Sequence, residues 1–422
     1  MPAFAPVAVA DTAAAGPVAA GSVARVGVAT ALSALCGYAV MALAASDLDP
    51  AGFSVFAVFW GAFGLINGAA NGLLQEATRE VRAAPAVSAS TGARTRPLTV
   101  AAGCAVVAAI GALATSPVWS GRVFAEQRVL SVGLLAAGLA GFCLHATVLG
   151  MLAGRNRWGA YGALMVTDAA TRVLVAVAAF VIGWGLAGYL WATVAGSTAW
   201  LVLLVVSPGS REAARQATPG TTASFLRGAA HSITAAGASA VLVMGFPVLL
   251  KATAGELGAQ GGVIILAVTL TRAPLLVPLT ALQGNLIAHF VDERARRLRT
   301  LGTAVAVVAA IGAVGVAAAA TVGPWLLVTA FGADYHAGGA ALAWLTVAAI
   351  GIATLTLTGN AAVAAALHRA YALGWVSATV ATTGVLLLPL DLQTRTVAGL
   401  LCGAAVGIAV HLMALRRADR LR

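Results

Sequence analysis

The chain has 422 residues, 60% of them hydrophobic and only 9% charged, with a mean hydropathy of +0.94. A soluble domain carries about 25% charged residues, so this composition excludes an ordinary soluble enzyme or binding module and requires an integral membrane protein. The formal net charge of +11 does not indicate a nucleic-acid partner, because the bases gather in loops on one side of the expected spans.

The first 22 residues lack the basic n-region of a signal peptide and read as a disordered Ala/Pro tail. Each span needs about 20 mainly apolar residues to cross a ~30 Å hydrocarbon layer. Twelve such stretches follow: 24–45, 52–76, 98–116, 129–152, 159–183, 187–206, 229–250, 260–289, 301–322, 339–366, 371–390 and 396–415. With the N-terminus inside, nineteen of the 25 bases fall at the termini or in inside loops. Only Arg122, Arg128, Lys251 and Arg395 fall outside, which puts both termini in the cytoplasm by the positive-inside rule. Arg172 and Arg272 are left within the membrane.

Residues 207–228 divide the chain into an N-lobe (23–206) and a C-lobe (229–415), followed by a basic tail at 416–422. The halves echo each other at an offset of roughly 210 residues: DPAGFSVFAVFW (49–60) with GAQGGVIILAVT (258–269), AEQRVL (125–130) with ADYHAG (333–338), and RWGAYGALMV (157–166) with RAYALGWVSATV (369–380). Six spans per half is an even number, so both halves enter the bilayer the same way. The expected fold is all-α, with two parallel-repeat six-helix lobes around a central cavity and a site near the midplane.

No soluble catalytic motif is present, and Cys36, Cys104, Cys143 and Cys402 lie singly in apolar runs without metal-ligand spacing. No enzyme activity and no cofactor are expected. Function must then reside in polar groups inside the spans, which are costly there. In the second span Asn67, Asn71 and Gln75 form one stripe, and Gly64, Gly68 and Gly72 form another about 100° away that would admit a close neighbour. The amides serve either to bind adjacent helices or to hold hydroxyl-rich cargo. In the fifth span Asp168 and Arg172 stand four residues apart on one face. They form either a self-neutralising structural pair, or an anion-gripping Arg172 with Asp168 holding it in place or exchanging a proton or sodium ion. In the eighth span Thr269, Arg272, Thr280 and Gln283 share a face interrupted by Pro274 and Pro278. Arg272 has no acidic residue near it in sequence and lies about 18 Å from the outer end. His145 reads as a packing residue, whereas His231, His289 and His411 fall near cytoplasmic ends where solvation is easy.

Three stretches carry a family resemblance, SDLDPAGFSVFAVFW (46–60), NGLLQEATREV (71–81) and FGADYHAGGAALAWL (331–345), and LAGRNRWGAY (152–161) is a looser match. In order and spacing they resemble the Wzx-type polysaccharide flippases of the multidrug/oligosaccharidyl-lipid/polysaccharide exporter superfamily. Gly52-Phe53 departs from that family's Tyr-Gly, and the loops are shorter and richer in Ala. The resemblance implies a V-shaped two-lobe transporter of the bacterial plasma membrane working by alternating access. Its cargo would be a polyprenyl-pyrophosphate-linked oligosaccharide moved from the inner to the outer leaflet, with a polysaccharide polymerase and glycosyltransferases as partners. The family's positive cavity corresponds to Arg172 and Arg272, and Arg25 is either an entry contact or a positive-inside anchor. Two other readings stand beside this one. The first is a MATE-like ion-coupled exporter of small amphipathic compounds, with Asp168 as the ion site. The second is a membrane scaffold or embedded enzyme, for which Asp47, Asp49, Asp334, His336 and Asp391 are scattered candidates.

Overall fold

The computed structural model describes residues 20–87, 93–124, 126–293 and 296–420; the expected tail at 1–22 lies almost wholly outside them. The first half comprises α1 (Ala20–Asp47), α2 (Pro50–Val87), β1 (Arg94–Thr95), α3 (Pro97–Val123), α4 (Arg128–Gly154) and α5 (Trp158–Ile182). It continues through α6 (Gly185–Ala195), a 3-10 turn (Gly196–Thr198) and α7 (Ala199–Val206), which together form one crossing. Next come α8 (Pro208–Ala214) and β2 (Thr218–Pro219). The second half comprises α9 (Thr222–Val243), α10 (Phe246–Ala254), α11 (Gly258–Ala281), α12 (Gln283–Asp292), α13 (Arg297–Thr321), α14 (Gly323–Phe331), α15 (Gly339–Ala364), α16 (His368–Leu386) and α17 (Leu392–Arg420). Local chemistry sets several boundaries. Pro97 and Pro208 occupy the first turn of their helices, where the missing N–H costs nothing. Gly183 and Gly185, at φ +65° and +60°, provide the left-handed turn between α5 and α6.

Among the described residues ten helices are long and apolar enough to cross a membrane, or eleven if α9 and α10, bent by 65°, count as one span. Twelve spans were expected. The difference is α16, a 19-residue helix that begins on His368 and Arg369 and so has little apolar length left. The expected span at 260–289 is divided at Leu282 into α11 and α12. The expected loop at 207–228 contains α8 and the opening turns of α9, and the basic residues Arg416, Arg417 and Arg420 continue α17 rather than forming a separate tail.

The repeat is evident in the packing. α2 packs on α4 as α11 packs on α15, α3 on α4 as α13 on α15, α1 on α5 as α9 on α16, and α5 on α6 as α16 on α17. The lobes meet along α2 and α11 themselves, and along two further seams that are counterparts under this symmetry: α2 against α9, and α11 against α1. Exposed Val106, Val107 and Ile110 on α3, and Val307, Ile311 and Val314 on α13, form an apolar outer surface suited to lipid.

The α2–α9 seam is tight along its length because of the glycine stripe. A Cβ on Gly61 would lie 3.0 Å from Pro247, one on Gly64 3.2 Å from Met244, and one on Gly72 2.5 Å from the Cα of Ile233. Gly68 similarly abuts Ala240. The α1–α11 seam behaves differently. At the end of the molecule away from the termini, Val40, Met41, Ala44 and Ala45 share a core with Ile264–Val268. The Tyr335 hydroxyl there donates to Leu48 O at 3.0 Å, and its ring meets Phe53 edge-on. Toward the arginine-rich end, Thr280 and Gln283 are exposed, while Pro274 lines a groove within the C-lobe between α11, α13, α14 and α15. The α1–α11 seam is therefore closed at one end and less closely packed at the other.

Candidate functional site

In the N-lobe, α5 carries Asp168 and Arg172 on one face, and the guanidinium wraps back onto the carboxylate. Arg172 Nη2 and Nε donate to Asp168 Oδ1 at 2.9 and 3.2 Å, and Nη1 donates to Thr193 O of α6 at 2.7 Å. The guanidinium also lies over the Phe63 ring of α2, 5.1 Å from its centroid. Only 9% of Arg172 is exposed. Gly196 is required in the 3-10 turn because a Cβ there would collide with Asp168 and Arg172. His145 of α4 stacks on Phe142 and lies close enough to sense both charges, while its Nδ1 is buried without a hydrogen-bond partner.

In the C-lobe, Arg272 is 6% exposed and lies 5.1 Å from the Phe246 centroid. Its Nη1 reaches Leu242 O at a long 3.4 Å, and its Nη2 is buried with no partner among the described residues. The α1 residue Tyr38 is near enough to interact electrostatically, which places Arg272 at the seam between lobes. A buried guanidinium with an unpaired N–H is costly, so its retention calls for an acceptor at some stage.

The two arginines thus sit in different surroundings. Every contact of Arg172 described above comes from its own lobe, while Arg272 contacts α9 and α10 and lies within electrostatic reach of Tyr38 on α1. In the α2 stripe Asn71 and Gln75 are exposed, and Asn67 is partly buried with an unpaired Oδ1. Trp60, seven residues before Asn67 on the same helix, packs against Gly37 of α1 within the N-lobe. The break at Leu282 separates Thr269 and Arg272 on α11 from Gln283 at the start of α12. Thr269 bonds back to Ile265 O, and Thr280 bonds to Leu276 O. Gln283 instead donates to Asn360 Oδ1 of α15 at 3.2 Å. Arg25 is exposed and lines a groove built from α1 and α5 alone.

Several residues of these surroundings were not singled out from sequence. Asn360 and Trp375 are buried with Nδ2 and Nε1 unpaired. His411, expected to be easily solvated, is 0% exposed, bonded to Thr358 Oγ1 and stacked on Tyr371. The packing of α15 and α16 on α17 encloses it, so proximity to a helix end did not confer solvation. Glu76 is buried at the α2–α9 seam against Gly228 and is held by Arg79 Nε at 3.0 Å. The only sequence signal for it was its position one turn beyond the glycine stripe.

No family model matches the chain. It is 67% identical to Uncharacterized protein Rv3630 of Mycobacterium tuberculosis (strain ATCC 25618 / H37Rv) over 396 residues, covering 94% of this chain and 92% of that protein. It is 64% identical to Uncharacterized protein Rv1510 of the same strain over 393 residues, covering 93% and 91%. Among solved structures it is similar to the inward-facing conformation of a multidrug resistance MATE family transporter of the MOP superfamily. The TM-score is 0.68 at 16% identity over 92% of this chain and 96% of that one. The outward-facing conformation of a multidrug resistance MATE family transporter of the MOP superfamily gives 0.62 at 15% identity over 94% and 96%. The chain therefore belongs to the mycobacterial protein family that includes Rv3630 and Rv1510, and it has the two-lobed fold of the MATE transporters.

Proposed function

We propose that the protein is an alternating-access transporter that moves a lipid-linked, pyrophosphate-bearing oligosaccharide from the cytoplasmic to the outer leaflet, with both termini cytoplasmic. The observation that carries the reading is the unpaired Nη2 of Arg272 at the lobe seam. Diphosphate oxygens are strong acceptors for such a group, and two of them can pair with one guanidinium. The exposed amides Asn71 and Gln75 suit the hydroxyls of a glycan. Arg172 has its needs met by Asp168, Thr193 and Phe63, so its role is secondary unless Asp168 becomes protonated. The enzymes that build and polymerise such a glycan are the proposed partners.

The test is reconstitution into liposomes with polyprenyl-pyrophosphate oligosaccharide and a leaflet-specific readout. Transport by the wild type and its loss in Arg272→Ala at equal protein level is expected. Transport undiminished in Arg272→Ala would remove the arginine from cargo binding, and no movement of any lipid-linked glycan would remove the cargo class.

A second reading has its own observation. Asp168, 18% exposed and paired with Arg172 near His145, is the candidate ion site for an ion-coupled exporter of small amphipathic compounds. Asp168→Asn would then abolish drug-resistance phenotypes while cell-surface glycans remain normal. The opposite pattern would favour the lipid-linked cargo.

A further inference from the structure

The outer face of the N-lobe carries a groove of about 520 Å³ between α1 and α5, lined by Arg25, Val28, Leu32, Trp158, Gly162 and Val166, with Gly159 at its mouth. Its lining is apolar apart from Arg25. Val28 and Leu32 are 60% and 45% exposed, and Val166 continues the same apolar surface on α5. These residues lie on the side of α1 away from Tyr38 and Arg272. A groove here faces the bilayer, not the lobe seam. Among the described residues Arg25 is exposed and makes no ion pair or hydrogen bond. Trp158 stands at the level of Arg25, at the start of α5, where an indole suits the headgroup region. From Arg25 to Leu32 the trough runs about 10 Å along α1 at 1.5 Å per residue.

We infer that this groove is a binding site for one anionic glycerophospholipid of the leaflet at the arginine-rich end, with its phosphate on Arg25 and an acyl chain along Val28, Leu32 and Val166. A single cation above an apolar trough is complementary to a single anionic head above a hydrocarbon chain. A zwitterionic lipid satisfies the trough but gains less from the unpaired guanidinium. Glycines at 159 and 162 keep the α5 wall low enough for a chain to lie in the trough. A Cβ on Gly159 would meet nothing within 4 Å, and one on Gly162 would only touch Ala29 at 3.5 Å. The lipid would tie α1, which forms the inter-lobe seam with α11, to α5, which bears Asp168 and Arg172. The site is independent of which cargo the protein moves.

The full-length protein is purified, delipidated and titrated with phosphatidylglycerol or phosphatidylcholine of matched chains, and bound lipid is counted by native mass spectrometry. Arg25→Gln should weaken phosphatidylglycerol binding about fivefold, the equivalent of roughly 1 kcal/mol for one interfacial base, and leave phosphatidylcholine unchanged. Gly159→Phe, which fills the trough at a position with open space, should reduce binding of both lipids. Elution volume and lipid-free melting temperature matching wild type confirm that either variant is folded. A photoactivatable phosphatidylglycerol should crosslink within residues 158–166. Equal phosphatidylglycerol affinity in wild type and Arg25→Gln, or crosslinks confined to other helices, would overturn the assignment.

Discussion

The Asp168–Arg172 pair gives the most exacting prediction, because its structural cost and its functional role can be separated. Asp168→Asn keeps the side-chain shape but removes the charge that two N–H groups of Arg172 address at 2.9 and 3.2 Å. Breaking a buried ion pair on one side costs about 3–5 kcal/mol, because the remaining charge stays buried. Here the Asp168 side chain is 18% exposed, and Arg172 keeps Thr193 O and the Phe63 face, so about 2–3 kcal/mol is expected. Arg172→Met should cost a similar amount by stranding the carboxylate. The double variant should cost much less than the sum of the two, leaving a coupling energy of about 2 kcal/mol in a double-mutant cycle. The assay is thermal or denaturant unfolding of the purified protein at fixed lipid, with transport measured in parallel. Single-variant effects that add to the double-variant value within about 0.5 kcal/mol would refute the pairing argument. If the double variant recovers its stability but not its transport, the pair acts in the transport cycle as well as in the fold.

Three further outcomes follow from the packing. Gly72→Ala should destabilise by about 1–3 kcal/mol through overpacking, since the new methyl meets the Ile233 backbone, which cannot rotate away; a wild-type melting curve would show that the α2–α9 seam is looser than described. Tyr335→Phe removes the hydroxyl that bridges to Leu48 O across the lobes. It should cost about 1 kcal/mol and raise labelling of a cysteine introduced at Ala45, and unchanged labelling would count against the sealed end. Arg272→Lys keeps a charge but loses the planar fork. Cargo affinity should fall about tenfold if one bidentate bond, worth about 1.4 kcal/mol, is lost, and full affinity in the Lys variant would argue for a point-charge role.

Much of the architecture was legible from residue order. Spans of ~20 apolar residues cannot leave backbone groups unpaired in hydrocarbon, so helices were obligatory, and the recurrence of similar stretches in the two halves anticipated the recurring pairings of α2 with α4 and α11 with α15. Gly64, Gly68 and Gly72 implied a close neighbour, because glycines one turn apart lie on one face whatever they pack against. The i,i+4 relation of Asp168 and Arg172 likewise needed only helix geometry. The identity of partners distant in the chain was not available. The sequence placed Arg172 and Arg272 at similar depth, but only the folded chain decided that Phe63 and Thr193 complete one while the other faces α1 with a donor to spare. It also decided that His411, near a helix end, is enclosed by α15 and α16, and that of two symmetry-related seams one is tight throughout and the other sealed at one end. Periodicity specifies which face of a helix is apolar or small. Which helix covers that face depends on packing over the whole chain, and in this protein that packing separates a satisfied arginine from an unsatisfied one.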